Sequence, residues 1–303
     1  MKLQNVSGVM QGIINIDKPA DWTSHDVVAK LRGALKIKRI GHGGTLDPMA
    51  TGVLPIFVGN ATRCVEFCES FDKEYIAGLK LGIVTDTQDI TGNTLRVSDA
   101  TVSESDLLGI FDRFIGEQKQ VPPMFSAVKI GGKKLYELAR RGVEIDRPAR
   151  DIVIHGIELL EPSLGDCSAA DFLLKVSCSK GTYIRTLMND IGEVLGCGGV
   201  LSSLTRTKAG MFHIDNAFTL NDVLSAAGSG SISDCMMQTD IVFSEHPPIT
   251  LTDTEARRCL NGAPCHIASS YDGVFRFYDG FGEFLFLGEV ERSSVSVIKR
   301  FVG

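Results

Sequence analysis

The sequence has no apolar run approaching the roughly 20 residues that a bilayer-spanning helix needs, which excludes a helical membrane protein. Its opening, MKLQNVSGVMQ, lacks the apolar stretch of a secretory signal, so a cytoplasmic location is expected. No C-x-x-C pair occurs among the eight cysteines at positions 64, 68, 167, 178, 197, 235, 259 and 265, which favours reduced, partly buried thiols over disulfides. Cys259, Cys265 and His266 lie close together, but their spacing fits no zinc pattern and no second cluster completes one, so no metal is expected. Neither a P-loop signature nor a dinucleotide-binding G-x-G-x-x-G unit is present, which removes the common nucleotide cofactors. An overall excess of positive charge is also missing. The net charge is −6, which at first argues against a nucleic-acid partner.

What is present is an ordinary globular composition, with 44% hydrophobic and 22% charged residues in a chain of 303. That length fits one large domain, or a large one with a small companion. The acidity is unevenly spread. Residues 211–303 carry 6 Lys/Arg against 12 Asp/Glu, whereas residues 1–210 carry 25 of each. Lys30 to Arg39 holds five basic residues and no acidic one, and Lys129 to Arg150 holds seven basic and three acidic. Such patches can neutralise phosphates on a balanced body, although charge alone is equally met by solvated helix faces.

Apolar patterning predicts an α+β fold. Strands are expected at Gly12 to Ile16, at Val53 to Val58 with Pro55 marking an edge or strand end, and at Tyr75 to Leu81. Further strands are expected at 151–160, 171–178, 273–278, 284–290 and 294–300. Thr23 or Ser24 should cap a helix bearing Val27, Val28, Leu31 and Leu35. Thr101 should open a capping box, Thr182 should cap a helix running to Leu195, and Lys133 to Arg141 should form a short basic helix. Ser225 to Ser233 reads as a flexible linker, and His246-Pro247-Pro248 as the better domain boundary. The expected division is therefore a body over 1–245 and a small β-rich module over 246–303.

Between two of these strands lies Gly41-His42-Gly43-Gly44-Thr45-Leu46-Asp47-Pro48, whose three glycines and one proline exclude regular structure. Pro48 holds Asp47 extended. By spacing alone, an Asp before Pro in a loop is turn chemistry. The stretch Gly41 to Pro55, however, resembles the catalytic motif of the TruB family of tRNA pseudouridine synthases. Other stretches match that family in the same order: Ile16-Asp17-Lys18-Pro19, Asp72-Lys73-Glu74-Tyr75, Pro122 to Lys129 with Leu135 to Arg140, Gly181 to Leu187, and Leu201 to Thr207. The resemblance covers about residues 10–215. The C-terminal module is more loosely similar to the family's PUA-like RNA-binding domain. One departure is visible: Gly43 stands where many members carry Thr.

The resemblance implies a pseudouridine synthase fold, a mixed and largely antiparallel sheet flanked by helices, with a PUA-like module at the end. It implies that Asp47 is the nucleophile that allows the C1′–N1 bond of uridine to break and C1′–C5 to form. Arg185 would pair with Asp47 and orient it. Tyr75 would stack on the flipped uracil and assist removal of the proton from the reacting carbon. Leu204 would close an apolar wall against water, His42 would fill the gap left by the extruded base, and Lys18 would support the active-site loop or contact RNA. Asp89, in Thr85-Asp86-Thr87-Gln88-Asp89, lies in a matched stretch but is assigned no chemistry. The implied substrate is uridine 55 in the T-loop of tRNA, with the Lys129–Arg150 stretch tracking T-arm phosphates. The implied enzyme is a monomer without cofactor, metal, membrane or obligate protein partner, with an added role in tRNA folding left open. Two other readings fit the layout: a non-catalytic RNA-binding protein or chaperone, and a hydrolase that cuts the glycosidic bond.

Overall fold

The computed structural model describes residues 10–160, 171–268 and 271–302. Cys167 falls outside them. The chain folds into two compact units. One comprises residues 1–48, 52–69 and 215–303, and the other residues 49–51 and 70–214. No helix among the described residues is long and apolar enough to cross a membrane.

In the first unit the apolar strand Gly12–Lys18 pairs antiparallel with Thr51–Val58, from Gly12 opposite Val58 to Lys18 opposite Gly52. The short strand Ile40–His42 lies on the other side of Thr51–Val58, and Phe218–Thr219 joins Gly12–Lys18 in parallel. That parallel pair makes the strand pairing mixed. Pro55 therefore sits in a strand paired on both sides, not at an edge. The Gly43 N–H donates to the Pro55 carbonyl at 2.9 Å, just where the Ile40–His42 ladder ends, so the reciprocal bond that proline cannot make is not required. Thr23 caps the Ser24–Leu35 helix with Asp26 in a reciprocal box, and Val27, Val28 and Leu31 are buried.

The expected linker at 225–233 is largely helix. A Thr219–Asp222 capping box starts Leu220–Ser229, two alanines continue it, and only Gly230, at φ 81°, ends it. The C-terminal segment forms its own four-stranded sheet, with Pro248–Thr250 parallel to Gly273–Tyr278, followed by antiparallel Phe284–Glu291 and Ser294–Arg300. Helix Asp253–Leu260, capped by Thr252, covers a core that includes Phe275, Phe277 and Phe286. The Phe277 and Phe286 rings stack at 4.6 Å. Within the same unit Phe243 touches Phe67, Phe284 and Phe301, and the Tyr278 hydroxyl donates to Asp240 at 2.6 Å.

The second unit carries five antiparallel strands in the order Gly199–Ala209, Lys73–Leu81, Asp171–Cys178, Arg150–Leu160 and Gly116–Gln120. Helix Ile184–Val194 buries Ile184, Leu187, Met188 and Ile191. Gly192 permits its close approach to the sheet, because a Cβ there would meet the Gly199 nitrogen at 2.1 Å. Two expected caps are displaced. Ser103, with Asp106 three residues on, caps Glu104–Leu108; Thr101 does not. Thr182 spends its hydroxyl on the Ser179 carbonyl at 3.0 Å, and Tyr183 occupies the N-cap position. The basic helix is confined to Leu135–Ala139, since Lys133 and Lys134 pair in a hairpin.

Candidate active site

Asp47, His42 and Lys18 belong to the first unit. Asp47 is half-buried in a loop whose backbone is braced on both sides of it. Upstream, the buried Ser24 hydroxyl accepts from the Leu46 N–H at 2.9 Å and lies 3.3 Å from the Leu46 carbonyl. Downstream, the Pro48 carbonyl accepts from the Asp21 N–H at 2.9 Å and from the Lys18 ammonium at 3.2 Å. Lys18 has no exposed surface, and its Nζ also donates to the carbonyls of Pro19 and Trp22 at 2.8 and 2.6 Å. A buried ammonium directed at these carbonyls braces the turn on which the loop ends. His42 ends the short Ile40–His42 strand and is half-buried.

Gly43 has a packing reason. A Cβ at this position would lie 2.9 Å from Cε2 of Phe57 and 3.5 Å from Cβ of Cys68. In this chain the Phe57 ring fills the space that a Thr side chain would need. Gly43→Thr is therefore expected to destabilise by about 1–3 kcal/mol through overpacking. Pairing it with Phe57→Leu should recover most of that loss in thermal melts. A Gly43→Thr protein that melts with the native one would contradict this account.

Tyr75, Arg185 and Leu204 belong to the second unit. Tyr75 is buried in Lys73–Leu81, opposite Arg206, while Leu204 lies opposite Ala77 two positions along. Residues directly opposite in an antiparallel pair share a face, so Tyr75 and Leu204 are diagonal neighbours on one face. Arg206, to which sequence reasoning gave no role, shares that face and is 1% exposed.

Arg185, in the first turn of its helix, fans out in three directions. Nη1 donates to the Thr87 carbonyl at 2.9 Å and Nη2 to the Phe125 carbonyl at 2.7 Å. Nη1 also stands 3.6 Å from Oδ2 of Asp89, with only 5% and 7% of the two side chains exposed. The other Asp89 oxygen accepts from the Thr87 hydroxyl, the Thr91 N–H and the Thr91 hydroxyl at 2.8, 3.0 and 2.6 Å. Next to Arg185, Thr186 donates to the Gln88 side chain at 2.8 Å. Asp89 is thus a buried acid held through one oxygen and facing the guanidinium with the other, a role that only its place in a matched stretch could have suggested.

The chain matches the family model described as TruB family pseudouridylate synthase (N terminal domain) over residues 32–184. Residues 185–239 match the model for the tRNA pseudouridylate synthase B C-terminal domain. A protein of Alkaliphilus oremlandii named tRNA pseudouridine synthase B is 46% identical over 253 residues, covering 84% of this chain and 82% of its own. One of Clostridium tetani with the same name is 40% identical over 299 residues, covering 97% and 100%. Among solved structures, a chain of a Cbf5-Nop10-Gar1 complex is similar with TM-score 0.71 at 28% identity, covering 96% of this chain and 85% of that one. A chain of an H/ACA RNP bound to a substrate RNA containing 2′-deoxyuridine is similar with TM-score 0.70 at 26% identity, covering 96% and 85%.

Proposed function

The chain belongs to the TruB family of pseudouridylate synthases, and we propose that it isomerises uridine 55 in the T-loop of tRNA to pseudouridine. The observation that best supports this reading is the Asp47 loop, held by Ser24 before the acid and by Lys18 and Asp21 after it. Such bracing presents a carboxylate from a rigid backbone, which is what a nucleophile needs before substrate arrives.

The reaction moves a base without adding or removing any other group. The C1′–N1 bond breaks, the uracil turns, C1′ bonds to C5, and the C5 proton leaves as N1 gains one. Asp47 serves by attack on C1′ or C6, or by assisting departure of the base. Arg185 serves as the cationic residue of the reaction and faces Asp89. Tyr75 stacks on the flipped uracil and assists proton removal, Leu204 keeps water from the intermediate, and His42 occupies the place the base leaves. Residues 1–245 carry the catalysis and 246–303 act as a PUA-like RNA-binding module, in a cytoplasmic monomer that needs no protein partner. A loop uridine is a sensible target, since its unstacking costs less than in a duplex.

Phosphate binding has a candidate in the first unit. Arg39 is held by the side chains of Thr62 and Asn60 at 2.8 Å each, and Arg63 donates to the Arg300 carbonyl at 2.8 Å. Burial, and then the neighbouring Arg39 and Arg300 guanidiniums, lower the pKa of Arg63, so three cations are gathered at this place. Replacing Arg39 and Arg63 together by Gln should weaken tRNA binding evenly across tRNA sequences. The slope of log affinity against log salt should shrink by about 1 to 2. An unchanged slope would remove this patch from the interface.

The reading is tested with a tRNA transcript tritiated at C5 of its uridines. Release of one tritium per chain is expected, and none when uridine 55 alone is replaced by cytidine. Release that survives that replacement would move the target elsewhere.

A further inference from the structure

We propose that Gln120 is a positioning residue for Arg185, setting the start of the Arg185 helix and the Pro122–Ser126 loop in one register. Gln120 is the last residue of Gly116–Gln120, and it is buried. Its amide closes a ring on the backbone of one residue 63 positions away. Nε2 donates to the Tyr183 carbonyl at 3.0 Å, and Oε1 accepts from the Tyr183 N–H at 2.7 Å.

Tyr183 is the N-cap of Ile184–Val194, where no side chain of the helix's own start supplies a cap. Its carbonyl also accepts the first helical bond, from the Leu187 N–H at 3.1 Å. Gln120 therefore holds the backbone of the N-cap residue from a distant strand, giving its N–H the acceptor that the acid of a capping box would otherwise supply. Arg185 follows two residues later. The loop that begins just after Gln120 brings back the Phe125 carbonyl, which accepts from Arg185 Nη2 at 2.7 Å. Both partners of that contact, the helix start and the loop, thus depart from a single amide. A small slip at Gln120 would move the guanidinium and its acceptor relative to each other.

The site also selects for an amide. It needs one donor and one acceptor, side by side, neutral and at the end of a two-methylene stem. Asn is too short, and Leu has the shape without the hydrogen bonds. A glutamate meets the requirement only when protonated, and burial favours that neutral form. This gives the proposal a readout that a purely structural cap would not move.

The proposal rests on the assignment of Arg185 to the reaction. The test measures single-turnover tritium release from C5-labelled tRNA, with tRNA binding by filter retention, for the full chain and its Gln120→Leu and Gln120→Glu variants. Gln120→Leu should release tritium about 10- to 100-fold more slowly while its Kd stays within about threefold. Gln120→Glu should be similarly slow near about pH 8, and its rate relative to the native chain should climb as the pH falls toward about 6. A flat ratio across that range overturns the proposal, even if Gln120→Leu fails to fold. Loss of binding that equals the loss of rate overturns it too. A native chain that releases no tritium removes the functional reading and this proposal together, whereas native release beside a flat Gln120→Glu ratio removes the proposal alone.

Discussion

Asp47→Asn is expected to reduce tritium release from C5-labelled tRNA by at least about 10⁴-fold while leaving tRNA binding in place. The substitution keeps the shape of the side chain and removes its charge. An amide can neither attack the nucleotide nor stabilise a developing cation at C1′. The loop should not collapse, because its bracing is independent of the acid: Ser24 holds Leu46, and Lys18 and Asp21 hold Pro48, all through backbone atoms or their own side chains. The half-buried position makes the expected change in stability small, within about 1 kcal/mol. Filter binding and a thermal melt run beside the release assay separate these outcomes. Native-rate release by Asp47→Asn would remove Asp47 from the chemistry.

Arg185→Lys is expected to fail almost as badly as Arg185→Ala, with turnover down by about 10²- to 10³-fold in both and a weaker loss of binding. The argument is geometric. One guanidinium reaches the Thr87 carbonyl, the Phe125 carbonyl and the Asp89 carboxylate, and a planar fork does this without strain. A lysine ammonium is a point charge on a flexible stem and cannot hold all three. An abandoned carbonyl is left as an unsatisfied buried acceptor, at about 1–3 kcal/mol, and an abandoned Asp89 as a buried charge without its cation, at about 3–5 kcal/mol. Asp89→Asn should therefore share the defect, and the double variant should be no worse than the worse single one. Turnover of Arg185→Lys near the native rate would mean that charge alone is needed there and that the fork is incidental.

The sequence made local structure legible and left long-range contacts obscure. Alternation of apolar residues marked Lys73–Leu81, and apolar, aromatic-rich runs marked the three C-terminal strands, because both signals are written into neighbouring residues. The glycines and proline of 41–48 announced an irregular loop, which holds from Gly43 onward, whereas Gly41 and His42 complete the short strand Ile40–His42 against Thr51–Val58. Caps were legible only to within a position or two, as Ser103 in place of Thr101 illustrates, since several polar residues compete for one helix start. Small residues misled at 225–229. Ala and Ser there read as linker, but a capping box upstream and partial burial downstream made helix the better use of the chain. Pro55 misled as well, because a ladder that ends at the proline asks nothing of its missing N–H.

The site was legible through its motif residues and hardly at all through their supports. Lys18 was visible in the sequence, yet the Pro19, Trp22 and Pro48 carbonyls that it meets are set by folding. Asp89 meets Arg185 across 96 positions and Gln120 meets Tyr183 across 63, so no local spacing announces either pair. Gly43 looked like a defect in a motif until Phe57 was seen in the space beside it. In each case the missing information was a partner far along the chain, and only the folded backbone supplies it.

The most direct test of the central claim is the chemical fate of the uridine itself. Unlabelled tRNA treated with the native chain is digested to nucleosides, and these are separated and weighed. The account requires one new nucleoside per tRNA with the mass of uridine, a glycosidic carbon–carbon bond that resists acid, and no free uracil. Free uracil with an abasic site would identify a hydrolase, and unchanged uridine in firmly bound tRNA would leave an RNA-binding protein; either result contradicts the account.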